Sequence, residues 1–150
     1  MKKHILTIGS WFTYYNEAIK YLEQNDYRNA YINALRCFDF VKYEFQSPKE
    51  SQKITLVEQY FKTVLLFKDC YVKKGCMDCA ESQLTWGLHC LNNLKDGFPC
   101  SKLVNIVINK AISEIKIETR KFYLKNQMFF RDYCFLQNEN WITPNRESKK

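Results

Sequence analysis

Residues Trp11 to Phe45 constrain the fold of this chain more than any other stretch. Trp11, Tyr15, Ala18 and Leu22 recur at i, i+4, i+7 and i+11, with Phe12 and Ile19 beside them. After Asn25-Asp26, a second set follows: Tyr27, Tyr31, Ala34, Phe38, Val41 and Phe45, in alternating steps of four and three. On a helix each set makes one apolar stripe; on a strand the same spacing would scatter to both faces. The connection between them is too short for anything but an antiparallel pair of helices. Asn25 or Asp26 is positioned to cap the second helix by accepting from its free N–H groups.

The same logic extends along the chain. Ser47-Pro48-Lys49-Glu50 reads as a helix start, with Ser47 as cap, Pro48 in the first position and Glu50 closing a capping box. A third helix then runs to about Lys74, with Ile54, Val57, Phe61, Val64, Leu65, Tyr71 and Val72 inward, and Gly75 as a left-handed stop. A fourth spans about Cys76 to Lys95 on the stripe Met77, Ala80, Leu84, Gly87, Leu91 and Leu94. Asp78 and Glu81 sit in its first turn, where negative charge is favoured, and Gly97 ends it. Pro99 and Ser101 restart the chain. A fifth helix begins near Lys102, with Val104, Ile108, Ala111, Ile115 and Phe122 on one face. It either continues to about Leu136 or breaks near Asn126 into a sixth. The expected fold is all-α: five or six antiparallel amphipathic helices in a bundle or a short helical-hairpin solenoid, one domain over residues 1–140. Residues 141–150 read as a flexible basic tail.

Composition agrees. At 150 residues, 46% apolar and 16% aromatic, the chain has enough apolar surface to bury a core and too much to stay disordered. Only 4 Gly and 3 Pro interrupt it. The abundant Tyr, Phe, Lys, Asn and Ile have AT-rich codons, which suits a low-GC bacterium, its phage or another mobile element. No run approaches the roughly 18 apolar residues of a membrane span, so no membrane is expected among the partners. The opening MKKHILTIGSWF has a basic start, but Thr7, Gly9 and Ser10 interrupt its apolar patch and no small-residue cleavage site follows. A cytoplasmic location is expected. The seven cysteines, at 37, 70, 76, 79, 90, 100 and 134, then read mainly as reduced thiols, several of them small core hydrophobes.

Ala18, Tyr21, Tyr27 and Ala30 in the first hairpin occupy small and aromatic positions that resemble a tetratricopeptide repeat. So do Tyr71, Gly75, Ala80 and Gly87 in the second. The hairpins are offset by about 50 residues, longer than that family's period, and the proline expected after the second helix is displaced or missing. The phrase EAIKYLEQNDYRNAYINALRCFDFVKYE also resembles the opening hairpin of HEPN domains, which include RNases of defence and toxin systems. Those enzymes place a His four to six residues after an Arg. Here Arg28, Arg36, Arg120, Arg131 and Arg146 have no such His, so this resemblance implies a fold without the RNase activity.

Chemistry-bearing motifs are few. Cys76-Met77-Asp78-Cys79 is a CxxC at a helix start, where the helix dipole favours the thiolate. It is a candidate redox pair, or half of a zinc site completed by Cys70, Cys90, Cys100 or His89. No second CxxC or HxxxH supplies the missing half, and no βαβ pattern surrounds it. The formal charge is +7, and its excess lies in residues 101–150, with 10 basic and 5 acidic groups. Lys102, Lys110, Lys116, Arg120, Lys121 and Lys125 gather on the polar side of the fifth helix, a candidate surface for phosphates or an acidic partner. Glu114 and Glu118 can instead pair with them on an ordinary solvated face. Tyr14, Tyr21, Tyr43 and Tyr123 lie off the main stripes and are candidates for exposed contact residues.

There is no phosphate-cradling Gly loop, HExxH or nucleophile elbow, and His4 and His89 are the only histidines. Neither a catalytic set nor a cofactor is expected. The expected function is a non-enzymatic protein–protein interaction module or an inhibitor-type regulator. The alternatives are a nucleic-acid-binding regulator or accessory subunit of a defence or counter-defence system, and a catalytically inactive HEPN-like partner, which would form a homodimer.

Overall fold

The computed structural model describes residues 8–97 and 101–126. Within them lie five α-helices and no strand: α1 (Ile8–Glu23), α2 (Tyr27–Glu44), α3 (Lys53–Lys74), α4 (Met77–Gly97) and α5 (Lys102–Lys125). The fold is all-α, as the periodicity predicts. The basic tail of residues 141–150, a sixth helix beyond Asn126, and Cys100, Cys134, Arg131 and Arg146 fall outside the described residues.

The hairpin corners are made by local backbone chemistry. Asn25 adopts φ 61° and Gly75 φ 91°, the left-handed conformation that ends a helix. At each corner the next residue's N–H reaches back five residues, Asp26 to the Tyr21 carbonyl (2.8 Å) and Cys76 to the Tyr71 carbonyl (2.9 Å). Both are Schellman closures, which satisfy carbonyls that a helix end leaves open. Asp26 caps α2 by accepting from Asn29 N–H at 3.2 Å, and Ser101 caps α5 by accepting from Val104 N–H at 3.3 Å. The start of α3 differs from expectation. Neither Ser47 nor Pro48 is helical; a 3-10 turn at Glu50–Gln52 leads into α3 instead. Lys49 N–H donates to the Gln52 side chain at 3.1 Å. Glu50, expected to close a capping box, pairs with Lys53 at 3.0 Å and accepts from Ser101 N–H at 3.2 Å. It thereby ties the start of α3 to the start of α5. α5 stops at Lys125, with the Asn126 N–H and side-chain amide both donating to the Phe122 carbonyl. The alternative of one helix to Leu136 is thereby corrected.

α3 is the centre of the molecule and packs against each of the other four helices. Its buried set therefore reaches well round the helix: Leu56, Val57, Tyr60, Val64, Leu66, Phe67 and Cys70, with the polar Gln59 and Thr63. Of the residues expected inward, Ile54, Phe61, Leu65, Tyr71 and Val72 are only half-buried. α4 approaches α3 closely at Gly87, where a Cβ would stand 2.6 Å from Val64 Cγ1. A second, smaller cluster joins Ala80 and Leu84 of α4 to Phe122 and Tyr123 of α5. Tyr123, expected to be exposed, is fully buried, and its hydroxyl donates to Glu81 at 2.6 Å. Among the described residues no helix is long and apolar enough to cross a membrane.

Gln59 is the misfit of this core. It is 2% exposed, and neither atom of its amide has a hydrogen-bond partner. A buried amide without partners costs about 1–3 kcal/mol. Gln59→Met, similar in length and without the polar atoms, is therefore expected to stabilise the fold by about 1–2 kcal/mol. Chemical denaturation of both proteins checks this; a loss of stability would mean that the amide has a partner in solution.

Candidate binding groove between α2 and α4

The α2 stripe read from sequence splits in the structure. The residues of α2 facing the core are Ala30, Asn33, Ala34, Cys37, Phe40 and Val41. Tyr31, Phe38 and Phe45, seven residues apart, are only half-buried, and Tyr27 is exposed. At two turns per step, the first three form a row along one edge of α2. That edge faces α4 across α3, and between the two helices lies an open groove.

Three confluent cavities make up the groove. The widest, about 490 Å³, is lined by Phe38, Val41, Lys42, Phe45, Tyr60, Trp86, Cys90, Asn93 and Leu94. A middle cavity of about 300 Å³ lies against Tyr31, Leu35, Phe38, Phe67, Tyr71, Gln83 and Trp86. The third, about 440 Å³, continues along Tyr71, Asp78, Cys79, Ser82, Gln83 and Trp86. Trp86 borders all three. The rings form one continuous chain: Tyr71 to Tyr31 (5.8 Å between centroids), Tyr31 to Phe67 (5.5 Å), Phe67 to Phe38 (6.2 Å), Phe38 to Trp86 (6.0 Å), Trp86 to Tyr60 (6.4 Å) and Tyr60 to Phe45 (6.3 Å). Tilted and edge-on pairs of this kind hold one another in place. The groove is thus preformed, with Trp86 44% exposed at its middle.

Polar groups in it are sparse. Lys42 is the one charged residue lining the wide cavity, and Asp78 the one lining the third, among the described residues. Tyr71 donates a hydrogen bond to the Tyr31 hydroxyl at 3.4 Å. That bond, with partial burial, pushes the Tyr71 phenol up to about 12. The Tyr60 hydroxyl is buried beside the Cys90 thiol; burial first, and then the contact with Cys90, hold its phenol far above the ordinary range. The thiols of Cys37 and Cys70 are likewise pushed up to about 12 by burial. They are protonated at neutral pH and are not nucleophiles.

The residues singled out from sequence fall in three separate places. Cys76 and Cys79 are joined in a disulfide across the first turn of α4, so this pair does not carry the free thiols expected of most cysteines here. The bridge links no two helices. Cys79 borders the end of the groove away from the widest cavity. Among the described residues no three His, Cys, Asp or Glu side chains gather as metal ligands would. Tyr14 and Tyr21 are on α1 and half-buried against the core, and the Arg36 guanidinium lies over the Tyr14 ring at 5.6 Å.

On α5 the cations divide. At about 100° per residue, Lys102, Lys116 and Arg120 share one side, and Lys110, Lys121 and Lys125 another. Ile106, Ile117 and Leu124 stand between the two groups, at 56%, 53% and 55% exposed. Lys121 pairs with Glu118 at 3.8 Å. The face is a mixed aliphatic and basic surface. Sequence reasoning placed Tyr31, Phe38 and Phe45 in the core and passed over Trp86. The heptad row of rings on α2, wider than its core needs, was the signal for the groove. Comparison with known proteins returned no matching family model, no matching curated protein and no matching solved structure.

Proposed function

We propose that this chain is a non-enzymatic protein-interaction module, of the inhibitor or regulator type, that receives its partner in the groove between α2 and α4. The observation that carries this reading is the unbroken chain of rings lining an open groove with Trp86 at its centre. A preformed apolar concavity with few polar groups is the usual form of a binding site. Exposed aromatic residues, Trp above all, are the residues on which protein interfaces concentrate their energy. An intracellular setting belongs to this proposal, as does the absence of a cofactor.

The test is affinity purification of the tagged full-length protein from its native host, with nuclease treatment, beside a Trp86→Ala variant whose melting temperature has been checked. A stoichiometric protein partner is expected to survive nuclease. Removing an interface hot spot of about 2 kcal/mol or more is expected to weaken its capture by about 30-fold. Capture of nucleic acid, lost with Lys116→Glu and Arg120→Glu and steeply weakened by salt, would move the site to α5. The row Lys102, Lys116 and Arg120 favours that second reading. The aliphatic side chains beside it weigh against it, because phosphate contacts leave them in water.

A further inference from the structure

We infer that the groove takes an amphipathic α-helix from its partner, running antiparallel to α2 and α4, with an acidic first turn over Lys42 and a basic last turn over Asp78. This rests on the groove being the interaction site and adds what fits it.

Length and shape come first. From Tyr31 to Phe45 the aromatic edge of α2 spans 14 residues, about 21 Å at the rise of an α-helix. A helix of about 14 to 16 residues matches that span. Its apolar residues at i, i+3 or i+4 and i+7 would present one row to a groove whose own rings repeat every seven residues. α2 and α4 run in the same direction, each antiparallel to α3 at the groove floor, so both direct their C-terminal ends toward the wide cavity. An added helix antiparallel to its two flanking neighbours brings its positive N-terminal end to their negative C-terminal ends.

Charge fixes the same direction independently. The groove is polarised: among the described residues, Lys42 is the one lining charge at the wide end and Asp78 the one lining charge at the far end. Acidic residues are favoured in the first turn of any helix and basic residues in the last. A helix entering antiparallel to α2 and α4 therefore meets Lys42 with its acidic turn and Asp78 with its basic turn. The opposite direction would set both dipole and charge against the groove.

The experiment uses the full chain and two synthetic peptides of about sixteen residues, with identical composition and a leucine row at helical spacing. One carries glutamates in its first turn and lysines in its last; the other has these exchanged. The reporter is the indole N–H resonance of Trp86, assigned by its loss in Trp86→Phe. The first peptide is expected to shift that resonance and to bind about ten-fold more tightly than the second, the scale of two partly exposed ion pairs. In a Lys42→Glu, Asp78→Lys variant the preference is expected to reverse, which separates groove charge from the peptides' own helicity.

Equal affinities for the two peptides would overturn the polarity and leave the groove's role standing. No shift of Trp86 with either peptide would overturn the helical occupant, even where affinity purification still finds a partner dependent on Trp86. A Trp86 resonance already shielded in the free protein would overturn it as well. Shielding that grows with concentration would assign the groove to a second copy, and shielding independent of concentration to the chain's own residues 127–150.

Discussion

Trp11→Ala is expected to destabilise the fold by about 3–5 kcal/mol, the range for removing a fully buried aromatic side chain. Trp11 is 1% exposed and stands where α1, α2 and α3 meet. Its ring stacks on Tyr15 at 4.8 Å, and its carbonyl accepts from the buried Cys37 thiol at 3.8 Å. Its indole N–H donates to Thr63 Oγ1 at 3.1 Å, while that hydroxyl donates in turn to the Gln59 carbonyl at 2.7 Å. Truncation leaves both a cavity and a buried hydroxyl that has lost its donor. Against a typical total stability of about 5–15 kcal/mol, such a loss takes much or all of the fold. Urea denaturation followed by circular dichroism measures it. Trp11→Phe keeps one six-membered ring but loses the N–H and part of the indole's volume, so it is expected to cost less than the alanine variant, about 1–3 kcal/mol. A cost below 1 kcal/mol for the alanine variant would mean that Trp11 is not the junction described.

Gly87→Val is expected to cost about 3 kcal/mol or more, by overpacking where Trp11→Ala underpacks. The first added carbon would lie 2.6 Å from Val64 Cγ1, 3.1 Å from Cγ2 and 3.4 Å from Cβ. Val64 is β-branched and 1% exposed, so it has one preferred rotamer on a helix and nowhere to turn. Gly87→Ala meets the same clash but gains about 1 kcal/mol of helix propensity, so its net cost is expected to be smaller. Val64→Ala combined with Gly87→Ala is expected to recover most of the overpacking term, and a thermodynamic cycle over the four proteins isolates it. Strictly additive effects would show that the helices do not touch there. Because Trp86 adjoins Gly87, any outward shift of α4 would also widen the groove, and the same variants report on binding.

What could be read from sequence was mostly what is encoded locally. Asp26 and Gly75 act within one turn of themselves and are found as expected, and α5 starts at Lys102 after Ser101, as read. The stripes of α4 and α5 were legible because each of these helices buries one side. The α2 stripe was legible as amphipathy but not as destination. Periodicity tells that Tyr31, Phe38 and Phe45 avoid water in part, and not that α4 stands too far off to cover them. α3 blurred the pattern further, since a helix with neighbours on several sides shows no single stripe. Tyr123 was misjudged because its polar end suggested solvent, whereas Glu81, 42 residues away, supplies the partner inside. Ser47 and Pro48 had the right residue types for a helix start, but Glu50 was drawn to Ser101 across 51 residues. Each failure lies where a distant residue decided the outcome.

The central position of α3 carries a consequence for how this molecule comes apart. In an array of stacked hairpins each unit leans only on its neighbours, so one end can melt while the other persists. Here every helix rests on α3, and removing any of them uncovers part of the same helix. Partial unfolding therefore has no cheap intermediate. Amide hydrogens along α1 to α5, away from the frayed ends, should exchange in step and at the free energy of global unfolding. Heating should give a single calorimetric transition whose enthalpy matches its van't Hoff value.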